Sequence, residues 1–370
     1  MNKTKLLEKI IRVVMSWIKV VAIQLVIGIG LFFGLDYLYS NTRTPSVEFG
    51  FHILHKVFHH SMAESFDGFG QWGDNKYRVC TDMNGFKASC NQVESSRKSF
   101  DVAFIGDSFT EAVSMTYEDS FVGMFAENNP SLHVANLGVS SYSPTIYLAK
   151  VRWLLEHGYM FNHLYVFVDI SDIQDESIYS TGITGNVYGK ESINSDSQLF
   201  LLKQFVTDNF KLFKLGCLKI KNLWSNEEAQ AKHQSVFKMQ RSEWTYEKNS
   251  SAYGVLGVDG SIKKATDKMI ELYGLLEEHD ISMSIGVYPW PAQLAEIEKV
   301  PTQINRQVEI WKSFCQQRCE KFVNLFPAYR GLISDHGLDV VYDQYFIDGD
   351  VHFNKMGNQL VFDEIKHVNK

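Results

Sequence analysis

Short apolar runs alternate with amphipathic stretches through residues 100–370 of the chain. The runs are rich in β-branched and aromatic residues, which is typical of strands buried on both faces of a sheet. The alternation predicts a three-layer α/β/α sandwich around a five-stranded parallel sheet. The predicted strands are 101–105, 133–136, 164–168, 282–288 and 322–325, and the predicted helices are 118–127, 145–157, 263–279, 302–320 and 355–368.

Sheets of this kind bind their ligands beyond the carboxyl ends of the strands. Ser108, Gly138, Ser171 and Trp290 follow four of the predicted strands, so we expect them to surround one site. Residues 173–260 interrupt the alternation and are interpreted as an insertion, with an amphipathic stretch over residues 199–224. The insertion either forms a cap over the strand ends or is a peripheral elaboration without a role in substrate binding.

Residues 1–38 follow a different pattern. The stretch 13–38 is almost wholly apolar, apart from Lys19, Gln24 and Asp36, and it exceeds the roughly 20 residues that a helix needs to cross a bilayer. The basic segment 1–19 should stay in the cytoplasm. We therefore predict a single-pass signal anchor in the bacterial inner membrane, with the following domain in the periplasm. A cleaved signal peptide and a buried soluble helix are the alternatives.

Composition and charge restrict the classes of partner. Hydrophobic residues make up 45% of the 370 residues, which is enough for a packed core. The net charge of -7 argues against nucleic acid as a partner. Residues 40–99, rich in glycine and aromatic residues, are interpreted as a lead-in or linker between the anchor and a domain over residues 100–370.

The cysteines fit an oxidising compartment. Cys80 and Cys90 flank a turn-like segment, and Cys315 and Cys319 lie close together in a helical pattern. Two short-range disulfides are possible, and unpaired buried thiols or a zinc site are the alternatives. Cys217 is left over and is expected to be a free thiol.

The first predicted strand leads into the candidate nucleophile, Ser108, within the segment 104–110. A serine at a strand-to-helix turn exposes its hydroxyl, and the N–H groups of the helix start favour a developing oxyanion. Such a serine needs a neighbouring base to attack a carbonyl carbon. His352, which stands beside Asp348 and Asp350 before the last predicted helix, is the candidate base.

Three segments in this order resemble the SGNH/GDSL hydrolase superfamily over roughly residues 100–365. The matching segments are Gly106-Asp107-Ser108 with residues 109–111 after them, then residues 136–140, then residues 350–354 with Gly357 after them. The resemblance implies an SGNH or flavodoxin-like fold and ester chemistry. No metal or cofactor is expected, since the sequence has no glycine-rich nucleotide motif and no histidine pair with zinc spacing. The resemblance also implies that Ser108 is the nucleophile, that His352 is the general base and acid, and that an aspartate orients His352.

Two departures from the family pattern bear on the site. Much of the superfamily has its aspartate where this chain has Gly349, whereas the D-x-H spacing of Asp350 resembles that of polysaccharide O-acetyltransferases of this fold. Asp350 is therefore preferred over Asp348 as the residue that orients His352. The second departure is Ser171, which occupies the position of the usual oxyanion-hole asparagine.

The resemblance implies an oxyanion hole made by Ser108, Gly138 and Ser171. Asp169 and Asp172 flank Ser171 and are predicted to cap the helix that follows. Trp290 is expected either on the rim of the site, where it could stack on a sugar ring, or packed under the insertion.

Three functions follow as hypotheses. The preferred one is a serine-dependent esterase or O-acyltransferase that acts on acyl groups, acetyl above all, of an envelope polysaccharide. Its partners would be a glycan or an acylated small molecule, the membrane, and a multi-spanning acyl-donor membrane protein. The alternatives are a lipid or thioester hydrolase that uses the same three residues, and a non-enzymatic scaffold subunit of an envelope assembly.

Overall fold

The computed structural model describes residues 3–42, 51–73, 75–182, 186–188, 235–246, 256–300 and 305–368. These residues belong to two compact units. One comprises Met1–Ser46 and Asn194–Glu228, and the other comprises Val47–Ile193 and Ala229–Lys370. The amphipathic stretch 199–224 and Cys217 lie outside the described residues.

The first unit contains one long helix, α1 (Lys3–Thr42). Within it, Arg12–Leu38 is long and apolar enough to cross a membrane, and no other helix among the described residues meets that condition. Length and composition fit a membrane anchor and an N-terminal signal sequence alike.

The second unit combines strands and helices in the predicted alternation. The strands are β1 (His52–His55), β2 (His59–Met62), β3 (Asp67–Trp72), β4 (Asn75–Cys80), β5 (Ser99–Ile105), β6 (Val134–Asn136), β7 (Met160–Phe167), β8 (Ser180–Thr181), β9 (Val187–Tyr188), β10 (Ser282–Val287) and β11 (Lys321–Asn324). The helices are α2 (Ser108–Glu111), α3 (Phe121–Asn128), α4 (Pro144–Glu156), α5 (Asp172–Asp175), α6 (Gly257–Glu278), α7 (Pro291–Lys299), α8 (Arg306–Cys315), α9 (Phe326–His336), α10 (Leu338–Tyr345) and α11 (Lys355–Val368).

The central sheet has five strands in the order β11-β10-β7-β5-β6, and each neighbouring pair is parallel. The chain leaves β5 for β6 on one side and then crosses β5 to reach β7 on the other side. Because parallel crossovers are right-handed, this reversal places α3 and α4 on opposite faces of the sheet. α11 packs on α3, and α6 packs on α4. The predicted three-layer sandwich is confirmed.

The reversal of winding beside β5 also locates the site. In open α/β sheets the ligand crevice forms at the carboxyl end of the strands where the strand order reverses. Ser108 directly follows β5, so the candidate nucleophile occupies this position.

Residues 51–99 do not form the predicted linker. Two antiparallel hairpins, β1–β2 and β3–β4, lie within residues 52–80, and side chains of this region and just after it, including Tyr77 and Phe86, belong to the main hydrophobic core. The lead-in is therefore an integral part of the second unit.

The structure contains both proposed disulfides, Cys80–Cys90 and Cys315–Cys319.

Candidate active site

Ser108 lies at the junction between β5 and α2. β5 is held in the sheet by side chains such as Phe104 and Ile105, which are fully buried. Asp107 then caps α2, because its Oδ1 accepts a hydrogen bond from the N–H of Phe109 at 3.0 Å. The cap turns the chain so that Ser108 opens the helix at the end of the strand.

A one-turn helix such as α2 needs support at its carboxyl end. Lys87 supplies it, because its buried ammonium donates to the carbonyl oxygens of Glu111, Ala112 and Met115 at 2.8–2.9 Å. A cation at the carboxyl end of a helix satisfies carbonyls that have no partner within the helix. The turn that presents Ser108 is thereby fixed from both ends.

Ser108, His352 and Asp350 form a continuous hydrogen-bonded chain. Ser108 Oγ lies 2.8 Å from His352 Nε2, and His352 Nδ1 lies 2.5 Å from Asp350 Oδ1. Because Asp350 can only accept when ionised, the proton of the neutral imidazole belongs on Nδ1. Nε2 is then free to accept the hydroxyl proton of Ser108, although the two residues are 244 positions apart in the sequence.

The geometry also distinguishes Asp350 from Asp348. Asp350 Oδ1 accepts from the His352 side chain and from the backbone N–H of the same residue, the latter at 3.0 Å. Burial is the largest influence on Asp350 and raises its pKa, but hydrogen bonds and charge from His352 outweigh it. The resulting pKa of about 2 keeps Asp350 ionised at neutral pH.

Neighbouring residues hold the loop that carries His352. The Tyr342 hydroxyl binds the backbone N–H and C=O of Asp350, each at 3.0 Å. Asn354 Oδ1 accepts the N–H groups of Met356 and Gly357 and so caps the start of α11. These contacts fix the loop immediately before and after the histidine.

The predicted oxyanion donors differ in their availability. The N–H of Ser108 is at the first position of α2, where the helix itself offers no acceptor. Ser171 is buried, and its hydroxyl does not cap α5. The N–H of Gly138 already donates to Asn136 Oδ1 at 3.0 Å, so it is engaged within its own turn.

Close packing against α2 explains why residue 138 is glycine. A Cβ on Gly138 would lie 2.7 Å from Thr110 Cβ and 2.8 Å from Glu111 N. Gly106 is constrained in the same way, since a Cβ there would lie 2.8 Å from the carbonyl oxygen of Phe167. Both glycines allow two backbone segments to approach each other beside Ser108.

Glu111 joins the first and second family-like segments. Its Oε2 accepts from the N–H and the hydroxyl of Ser140 at 2.6 and 2.7 Å, and it lies 3.0 Å from His52 Nε2. Burial raises the pKa of Glu111, but His52 and Ser140 outweigh that effect and lower the pKa to about 2. Burial alone would lower the pKa of His52. The charge and the hydrogen bond of Glu111 outweigh burial, so the pKa lies above its usual value.

The His52–Glu111 pair predicts a pH-dependent contribution to stability. A raised histidine pKa adds stability that is complete below about pH 6.5 and is lost as the pH rises through the folded-state pKa. We expect His52→Ala to cost about 1–2 kcal/mol near pH 6, a modest figure because the His52 side chain is 39% exposed. The cost should shrink by pH 9, as measured by thermal unfolding at both pH values.

His55→Ala is the matched control on the same strand. Burial and, after it, the charge of Lys150 lower the pKa of His55 to about 4, so His55 is neutral at both pH values. In the unfolded chain, however, the imidazole titrates near pH 6.5 and is partly charged at pH 6, so this substitution should cost less at pH 6 than at pH 9, the opposite of His52→Ala. An equal cost of His52→Ala at the two pH values would contradict the ion pair.

Three buried carboxyl groups lie beside the nucleophile. Oxygens of Asp107, Asp169 and Asp172 are all within 4.8 Å of one another. Burial and then the charge of Asp169 raise the pKa of Asp107 well above its usual range; burial and then the charge of Asp107 do the same for Asp172. Burial and mutual repulsion therefore favour protonation within the cluster.

The oxygens of this carboxyl cluster are close enough together to bind a cation. Four of the six oxygens, however, already accept hydrogen bonds from protein donors; Asp107 Oδ2 lies 3.2 Å from Ser108 Oγ, whose one proton is directed to His352, and Asp172 Oδ1 lacks a donor among the described residues. The donors to the cluster are the side chains of Tyr147, Tyr288 and Trp290 and the backbone N–H groups of Phe109, Asp169 and Ser171. Protein donors thus stabilise the cluster.

The structure corrects the predictions for Trp290 and Asp172. Trp290 is 3% exposed and donates its indole N–H to Asp169 at 2.7 Å, so it is packed inside the domain and is not on the rim. Asp172 accepts from the hydroxyl of Tyr147 at 2.7 Å and does not cap α5. Both side chains support the floor of the site.

One contact to the proposed catalytic residues was not expected from the sequence. Trp72, in the segment interpreted as a linker, donates its indole N–H to Asp350 Oδ2 at 2.8 Å. Its ring centroid is 4.9 Å from that of His352. A tryptophan in a glycine-rich segment is a weak signal, and the sequence does not indicate which distant residue it contacts.

No protein-family model matches this chain, and no curated protein matches it either. Solved structures that resemble it include a member of the lipolytic G-D-S-L family from Veillonella parvula, with 11% identity, TM-score 0.38, and coverage of 72% of this chain and 97% of that one. An acetylxylan esterase from Geobacillus stearothermophilus has 10% identity and TM-score 0.39, covering 72% and 93%. The esterase EstA from Pseudoalteromonas sp. has 10% identity and TM-score 0.36, covering 74% and 97%. At this level of similarity, function rests on the geometry of the site.

Proposed function

We propose that this chain is a serine esterase of the SGNH type that forms an acyl-serine at Ser108. The observation that carries the proposal is the hydrogen-bonded chain from Ser108 through His352 to Asp350, with distances of 2.8 and 2.5 Å. A nucleophile, a base and a carboxylate that orients the base, at the end of a sheet strand, suit acyl transfer.

The reaction has two halves, acylation of Ser108 and deacylation, and His352 moves a proton in each. His352 Nε2 takes the hydroxyl proton while Ser108 Oγ bonds to the carbonyl carbon of an ester. The oxyanion accepts hydrogen bonds from the Ser108 N–H and the Ser171 hydroxyl. His352 then protonates the leaving alcohol. In the second half, water or a sugar hydroxyl gives its proton to His352 and attacks the acyl-serine, and the Ser108 hydroxyl is restored.

We further propose acyl groups of an envelope polysaccharide, acetyl groups above all, as the substrate. The spacing of Asp350 and His352 supports this, because it resembles that of polysaccharide O-acetyltransferases of this fold. The apolar helix α1 and the two disulfides support a periplasmic domain anchored in the inner membrane. A multi-spanning membrane protein that supplies the acyl group is the proposed partner when the reaction is transfer.

Trapping of the acyl-enzyme tests the proposal. The full-length protein in detergent is mixed with p-nitrophenyl acetate, quenched in acid and digested, and the peptide that contains Ser108 is weighed. We expect an added acetyl group on Ser108, and covalent labelling of the same residue by a fluorophosphonate. A protein that is folded but takes up neither reagent at Ser108 contradicts the esterase and favours the scaffold.

The acyl preference decides between the two enzymatic alternatives. Initial rates are compared for p-nitrophenyl esters from acetyl to dodecanoyl. An acetyl preference supports the polysaccharide esterase, and a preference for long chains supports a lipid or thioester hydrolase.

A further inference from the structure

The β3–β4 hairpin carries Trp72 to the edge of the site. Along β3, Gly68 and Gly70 are buried while Phe69 and Gln71 are exposed, so alternate side chains face the domain and the solvent. Trp72 is the last residue of β3, is half-buried and belongs to the inward-facing set. The strand register therefore directs its indole toward the domain.

Both ends of the hairpin are fastened to the domain. At the open end, Cys80 is joined to Cys90 by a disulfide. At the tip, Asn75 pairs with Trp72 across the strands, and its side-chain amide donates to the carbonyl oxygen of Ser114 at 3.0 Å. Ser114 lies in the loop just beyond α2, which begins at Ser108. The position of Trp72 is thus fixed relative to the turn that bears the nucleophile.

Trp72 contacts the two residues that activate Ser108. Its N–H binds Asp350 Oδ2 at 2.8 Å, while the other oxygen of Asp350 binds His352. A carboxylate that is bound through both oxygens cannot rotate without losing one hydrogen bond. The indole and imidazole rings are 81° apart, so the contact also limits rotation of the histidine ring.

We propose that Trp72 is a positioning residue for the Ser108–His352–Asp350 chain, a role that rests on the proposed esterase function. Its indole N–H fixes the rotation of the Asp350 carboxylate, and its ring limits that of His352. The N–H also draws negative charge toward Oδ2 and away from the oxygen that faces His352.

Trp72→Phe tests this role because it keeps an aromatic ring and removes the donor. We expect kcat to fall about tenfold, which corresponds to the loss of about one hydrogen bond to a charged group, while KM stays within about twofold. The acid limb of the kcat/KM profile should move to higher pH, because more charge on the oxygen facing His352 favours the imidazolium. The measurements use full-length protein in detergent.

Gln71→Ala is the matched control, since Gln71 lies on the opposite face of the same strand. It should leave kcat, KM and the pH profile unchanged. If Trp72→Phe has the kcat and the acid limb of the wild type, the proposal is overturned. A rise in KM alone would also overturn it, because it would assign Trp72 to substrate contact.

A measurement independent of turnover separates this inference from the proposed function. The Nδ1–H proton of His352, hydrogen-bonded to Asp350, should give a downfield proton resonance in protein with 15N-labelled histidine. In Trp72→Phe we expect that resonance to shift or broaden, whether or not the protein hydrolyses esters. An unchanged resonance overturns the positioning role, and a changed resonance in a protein without esterase activity overturns only the proposed function.

Discussion

Ser108→Ala is expected to lower kcat/KM for the hydrolysis of p-nitrophenyl acetate by about 10⁴-fold or more. The variant loses the oxygen that His352 is positioned to activate for attack, because Ser108 Oγ is 2.8 Å from His352 Nε2. Binding and the remaining N–H donors cannot replace a covalent intermediate. The measurement is kcat/KM of full-length protein, with the rate without enzyme subtracted.

The fold should survive this substitution. Asp107, and not Ser108, caps α2, and the backbone N–H of residue 108 remains in place. The unfolding midpoint should therefore stay close to that of the wild type. Ser99→Ala, at the far end of β5 in an exposed position, is the matched control and should keep full activity. A Ser108→Ala variant with wild-type kcat/KM would show that the measured hydrolysis arises elsewhere.

Asp350→Asn is expected to lower kcat/KM by about 10³- to 10⁴-fold, while Asp348→Asn changes it only a few-fold. Asp350 Oδ1 holds the Nδ1–H tautomer of His352 and is positioned to stabilise the imidazolium that forms when Ser108 attacks. An asparagine is uncharged and can present its amide N–H to Nδ1, which favours the tautomer that cannot accept the serine proton. The low pKa of Asp350, about 2, means that its charge is present throughout the assay range.

The pair of substitutions decides between the two aspartates that the sequence places beside His352. Both variants keep the size of the side chain, so equal unfolding midpoints make their activities directly comparable. Comparable losses in the two variants, or a larger loss in Asp348→Asn, would falsify the assignment of Asp350.

The sequence was sufficient for the order of strands and helices in the central sandwich. The runs around Phe104 and Val166 are apolar because parallel strands covered by helices on both faces bury every side chain, and that requirement is visible as a continuous hydrophobic run. The pairing of Ser108 with His352 was also predictable, through the resemblance of three segments to one superfamily. Helix ends were less accurate; the helix predicted over 302–320 is Arg306–Cys315 in the structure.

The sequence did not predict the hydrogen-bond partners of residues near the site. Trp290 was expected either on the rim or packed under the insertion, and the sequence did not indicate that its indole N–H binds the buried Asp169. Gly138 was expected to offer its N–H to an oxyanion, but Asn136 accepts that N–H at 3.0 Å. A hydrogen-bond partner depends on side-chain direction, which the order of residues does not specify.

By itself, therefore, the sequence determined the α/β sandwich, the apolar helix α1 and the identity of a candidate nucleophile and base, because hydrophobic periodicity and short segments carry that information. The tertiary structure decided that Asp350 bonds His352, that Glu111 joins the first two segments, and that Trp72 reaches Asp350 from 278 positions away. Those contacts are made by single polar atoms across distant parts of the chain. The energy of such a hydrogen bond depends on the distance between donor and acceptor and on the angle between them. Both are set only when the chain has folded.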